Sequence, residues 1–141
     1  MKLKPREEGD RWLRQAKQDL DDAQYGRDGG RFHLTCFLAQ QSAEKALKAY
    51  LYARGQALVL GHSVARLCQD AAELDVDFAD LKKRAAPLDK YYIPTRYPNG
   101  LPDGIPAEAF DIVDAERALE LAESVIAFVE TRLEKAEKGA E

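Results

Sequence analysis

Leu13, Ala16, Leu20 and Ala23 recur at alternating spacings of three and four residues, the period that gathers apolar side chains on one face of a helix. Asp10 is the expected N-cap of this first helix, and Gly26 lies near its expected stop. A second helix, from about Phe32 to Arg54, carries the stripe Phe32, Cys36, Ala39, Ala43, Ala46 and Tyr50. Leu34, Phe37, Leu38, Leu47 and Leu51 widen that stripe, so the helix is apolar over most of its circumference and is predicted to be central. Val64, Leu67, Cys68 and Ala71 predict a third helix after Gly61. Phe78, Leu81, Ala85 and Leu88 predict a fourth, capped by Asp77 and kinked or ended by Pro87. A fifth runs through Ile112, Ala115, Leu119, Ala122, Ile126, Val129 and Leu133, opened by Asp111 with Asp114 three residues on. Phe37, Leu47, Leu119 and Ile126 are expected in the core.

The pattern breaks once. KYYIPTRYPNGLPDGIP, residues 90–106, holds four of the chain's six prolines, three of its six tyrosines and two of its nine glycines. Each proline removes a backbone donor and disfavours helix in the residue before it, so Ile93, Tyr97, Leu101 and Ile105 are pushed towards extended backbone. No window alternates apolar and polar positions as a strand would. The expected fold is therefore all-α, an up-and-down bundle of about five helices with one long Pro/Tyr-rich loop before the last. The chain reads as a single domain over residues 1–141, with 136–141 frayed. Its tyrosines argue that the loop from Tyr91 to Pro106 packs on the bundle, and loops of this length in compact domains are often functional.

Composition narrows the classes of function. With 25 acidic and 21 basic residues among 141, the chain has a formal charge of -4 and a pI near 5.3, which argues against nucleic acid or an anionic membrane as a domain-wide partner. The opening MKLKPREEGDRW lacks the apolar core of a signal peptide, and no run approaches the roughly 20 apolar residues of a membrane span. Cytoplasm is the expected compartment. Cys36 and Cys68 read as reduced, buried thiols. His33, Cys36, His62 and Cys68 fit neither a C-x-x-C nor an H-E-x-x-H pattern, so no metal site is expected. Gly29-Gly30 lacks the lysine spacing of a phosphate loop.

Six residues carry candidate chemistry. Lys45 and Lys48, three apart on one helix face beside Gln41 and Glu44, suit a phosphate or carboxylate between them, or else a solvated face or an intersubunit ion pair. His62 opens the third helix, as a proton shuttle or as a structural cap. Arg96 offers a planar fork of donors for phosphate or carboxylate, with Tyr92 and Tyr97, and Tyr91 near them, as a stacking surface for a base. The alternative is that the tyrosines plug the bundle while Arg96 pairs with Asp89 or Asp103.

CFLAQQSAEKALKAYLYARG, then GHSVARLCQDA, LDKYYIPTRYP and DAERALELAESVIAFVETRL, together resemble the HEPN domain, a helical bundle of four to five helices. The most specific stretches are Ala43 to Lys48, His62, and Tyr92 to Pro98. The resemblance implies a homodimer that binds a nucleotide such as ATP, or that partners a small nucleotidyltransferase subunit in a system of the toxin–antitoxin type. Other branches of that family are metal-independent ribonuclease toxins, using an Arg, four to six spacers and a His near the start of the last helix. Residues 111–132 contain no histidine. The one match to that spacing, Arg27 with His33, falls between the first two helices, where the family does not use it. A non-catalytic module is the expectation; a ribonuclease and a structural dimer without ligand are the alternatives.

Overall fold

The computed structural model describes residues 3–139, with side chains through Ala136. Among these residues there are helices and turns and no strand. The helices are α1 (Pro5–Asp28), α2 (Phe32–Ala53), α3 (Val64–Ala72), α4 (Phe78–Ala85), α5 (Pro106–Ala109) and α6 (Ile112–Gly139), with 3-10 turns at Ala86–Tyr91 and Pro98–Gly100. The five long-period helices are those the apolar spacing predicts. α5 is an addition: Pro106 has the fixed φ suited to a first helical position and starts a single turn inside the loop. Of the stretch expected to fray, 136–141, α6 is helical up to Gly139 and residues 140 and 141 lie outside the described residues.

α1 begins five residues before the expected Asp10. Pro5 occupies its first position, and the Lys4 amide donates to Glu7 at 3.3 Å. Gly9 is therefore no boundary. It is buried in the helix, where a Cβ would come within 2.7 Å of Ala53 Cβ and 2.8 Å of the Ala49 carbonyl oxygen. Such contact lets α1 and α2 pack backbone to backbone. The helix also runs past Gly26 and stops at Gly29-Gly30, where Gly30 has φ 74°.

α2 lies at the centre, against both α1 and α6. Buried polar side chains pin α1 to it: Thr35 donates to the Ala23 carbonyl at 2.8 Å and Ser42 to the Ala16 carbonyl at 2.7 Å. Those pairs run antiparallel. α6 is antiparallel to α1 in turn, through Lys17–Glu130 at 2.7 Å and Gln24–Glu123 at 3.3 Å. It therefore travels in the same direction as α2, which is what a long return through α3, α4 and the loop permits. Tyr50, Phe78 and Phe128 join α2, α4 and α6, with ring centroids 4.4 and 4.9 Å apart. Leu47, Leu119 and Ile126 are buried as expected; Phe37 is only half-buried. Asp77 sits at the N-cap of α4, but its carboxylate takes Arg132 at 2.8 Å instead of capping. Asp111 and Asp114 each accept from the other's amide, at 3.0 and 3.1 Å, and open α6 as the spacing predicts.

Candidate functional site

Tyr92 organises the site. After the 3-10 turn ending at Tyr91, the Ile93 carbonyl accepts from the amides of both Arg96 and Tyr97, at 3.0 and 3.1 Å. Buried Thr95 donates its hydroxyl to the Tyr91 carbonyl. Gly100 closes against Pro94, leaving only 3.0 Å between a would-be Cβ and Pro94 Cα. The prolines thus build a compact turn, and that turn presents Arg96.

The Arg96 guanidinium carbon stands 4.4 Å from the Phe37 ring centroid, 4.6 Å from Tyr92 and 5.1 Å from Tyr97. Its Nε donates to the Tyr92 carbonyl at 2.9 Å. Neither Asp89 nor Asp103 pairs with it, and its two terminal nitrogens have no hydrogen-bond partner among the described residues. Planar guanidinium over aromatic faces is a favourable contact that leaves the in-plane donors free. Phe37 is half-buried because it belongs to this cluster, 6.3 Å from Tyr92, rather than to the core.

The other neighbour of Tyr92 is His62, whose ring lies nearly parallel to it at 5.0 Å, with 16° between planes. His62 Nδ1 is 3.3 Å from Glu44 Oε1. Glu44 is almost fully buried; it accepts from Gln41 at 3.2 Å and pairs with Lys48 Nζ at 3.3 Å. Gln40, one turn earlier, donates to the His62 carbonyl at 2.7 Å. Gln40, Gln41, Glu44 and Lys48 thus form a polar strip along one side of α2.

Of the six candidate residues, the structure brings Arg96, Tyr92, Tyr97 and His62 together. Lys48 reaches the cluster only through Glu44, and its ammonium is buried rather than offered to a ligand. Lys45 stands apart, held by Asp19 of α1 at 2.6 Å. Neither lysine forms a solvated face. Tyr91 is buried against Phe110 and plugs the bundle. His62 is not the cap of α3: Ser63 accepts from the Arg66 amide, while Asp89 accepts from the amides of Val64 and Ala65 at 2.7 and 3.1 Å and from the Ser63 hydroxyl at 2.8 Å. The sequence reading missed the roles of Phe37, Glu44 and Asp89. The strip at positions 40, 41, 44 and 48 was visible as polar residues at helical spacing on α2.

Elsewhere, Arg27 is engaged by Asp28 at 3.1 Å and Glu116 at 3.4 Å, which hold its guanidinium charged. Burial pushes both thiols up to about 12, with Asp114 adding to the effect at Cys36 and Asp89 at Cys68. Among the described residues, no group of three His, Cys, Asp or Glu is placed to hold a metal, and no helix is long and apolar enough to cross a membrane.

The chain belongs to the HEPN domain family, whose model matches residues 10–133. Among solved structures it is similar to TT1696 from Thermus thermophilus, at 44% identity over 87% of this chain and 96% of that one, with a TM-score of 0.78. It is also similar to ST0689, an archaeal HEPN homologue, at 34% identity over 89% and 97% of the two chains, with a TM-score of 0.71. A HEPN domain protein from Thermotoga maritima, TM0613, shares 28% identity over 88% and 98%, with a TM-score of 0.67. No match is found among curated proteins.

Proposed function

We propose that this HEPN domain is a non-catalytic dimeric module that binds a nucleotide on the Tyr92 cluster, and that it serves beside a small nucleotidyltransferase subunit in a system of the toxin–antitoxin type. The observation that carries the nucleotide reading is the state of Arg96. Its guanidinium is held against three rings and by one backbone bond, while its terminal donors are left to a ligand. Such a fork suits a phosphate, and half-exposed Tyr97 adds a face on which a base can stack.

Dimerisation draws support from the first turns of α6, where Ile112 and Val113 are 44% and 70% exposed beside Glu116, Arg117 and Glu120. An apolar pair flanked by both signs of charge is suited to isologous pairing. Sedimentation equilibrium at micromolar concentration tests that part, with twice the 15.8 kDa chain mass expected. Calorimetric titration of ATP into the wild type and Arg96→Ala tests the ligand site. Binding by the first, weakened in the second, is the expected result.

A further inference from the structure

His62 is held more firmly than its exposure requires. Its side chain is 60% exposed, yet its carbonyl is fixed by Gln40, its ring plane by Tyr92 and its Nδ1 by Glu44. None of this serves the start of α3, which Ser63 and Asp89 already cap. An exposed histidine pinned at three points presents whatever remains of it in one orientation.

What remains is Nε2, and Glu44 decides its chemistry. Lys48 is ion-paired with the Glu44 carboxylate and Gln41 donates to it, so the ionised carboxylate meets its neighbours as an acceptor. The hydrogen between Glu44 and His62 therefore resides on Nδ1, and in the neutral ring Nε2 carries a bare lone pair. Nε2 has no partner among the described residues. Because His62 and Arg96 both stack on Tyr92, ring and guanidinium lie no farther apart than their two stacking distances combined, a span suited to the base and phosphate of one nucleotide.

We propose that Glu44 is a positioning residue that locks His62 in the Nδ1–H form, so that the site reads its ligand with a hydrogen-bond acceptor and selects a base bearing an exocyclic amino group. This inference rests on the nucleotide reading of the Tyr92 cluster. The polar strip on α2 then has a reason to be buried: it sets the hydrogen-bonding sense of a residue on a different element.

Two measurements test it. Long-range nitrogen–proton correlation spectra of the unliganded protein at pH ~8 report which ring nitrogen carries hydrogen. The Nδ1–H pattern is expected for His62, and conversion towards Nε2–H is expected in Glu44→Gln, whose amide can donate to Nδ1. Titrations then compare ATP with N6,N6-dimethyl-ATP, which lacks the amino donor, and with tripolyphosphate, which lacks the base. The wild type should prefer ATP over the dimethyl analogue by about threefold to tenfold, the weight of one hydrogen bond. That preference should vanish in Glu44→Gln and, should that variant not fold, in His62→Phe, which keeps a ring on Tyr92. An Nε2–H pattern in the wild type, or an ATP preference that survives His62→Phe, overturns the inference. Tripolyphosphate binding without preference among the nucleotides overturns it while leaving the Arg96 site standing; failure of all three ligands to bind overturns both.

Discussion

Arg96 and Tyr92 are joined twice: the guanidinium carbon stands 4.6 Å from the ring centroid, and Nε donates to the tyrosine's own carbonyl at 2.9 Å. A residue four positions along the chain thereby folds back over its partner, which is what the turn at Pro94 allows. Arg96 is thereby held by contacts within its own chain, which would lower the conformational entropy cost of engaging a ligand.

Glu44 and Lys48 form a buried pair in which each neutralises the other's charge. Removing one partner strands the other, and Lys48→Met is expected to destabilise the fold by about 3 to 5 kcal/mol. The double variant Glu44→Leu/Lys48→Met should recover most of that loss. Urea unfolding of the three proteins checks this, and a loss below about 1 kcal/mol in the single variant would show that the pair is effectively solvated.

Asp89 does for α3 what a side chain N-cap does, but from outside the helix, accepting from two amides and the Ser63 hydroxyl. Asp89→Ala should cost about 1 to 2 kcal/mol and fray the start of α3, detectable as lost amide protection at Val64 and Ala65. Unchanged protection there would place the cap in Ser63 alone.

Gly9→Ala sets two effects against each other. Alanine is the better helix former by about 1 kcal/mol, yet its methyl would meet Ala53 and the Ala49 carbonyl well inside contact distance. Because one of those atoms is backbone and cannot rotate away, overpacking should win, with a net lowering of the melting temperature. A raised melting temperature would mean that α1 and α2 separate readily.

Cys36 and Cys68 are neutral thiols whose burial raises them to about 12. The unfolded chain releases these protons above the ordinary thiol value, near 8.5, while the folded chain keeps them. Their contribution is thus fully present below that value and is lost as pH rises towards 12. Between pH ~8 and ~11 the wild type should lose stability more steeply than Cys36→Ala/Cys68→Ala, as thermal melts across that range would report. Parallel slopes would contradict the burial of the thiols.

Apolar spacing made the long helices legible because packing of one face is what stabilises them, and that face repeats in sequence. Boundaries read less well where a residue has a tertiary role. Gly9 resembles a helix breaker and is a notch for α2, while Asp77 resembles a cap and is a ligand of Arg132. The candidate site was half visible. Arg96, Tyr92 and Tyr97 stand out by local composition, but the links from Tyr92 to His62 and from His62 to Glu44 join residues 30 and 18 positions apart, and no local pattern encodes such pairings. Phe37 looked like core because an apolar residue on an apolar stripe gives no sign that a guanidinium will cover it.

Calorimetric titration of ATP into the wild type and Arg96→Ala, with thermal melts of both, tests the account most directly. Wild-type binding is expected, weakened in Arg96→Ala by about 1.5 to 3 kcal/mol, the weight of a charge-assisted contact. The melts should differ little, since Arg96 is exposed and its ring contacts contribute only about 1 kcal/mol. No nucleotide binding to the wild type, or equal binding by both proteins, would contradict the assignment of this surface as the ligand site.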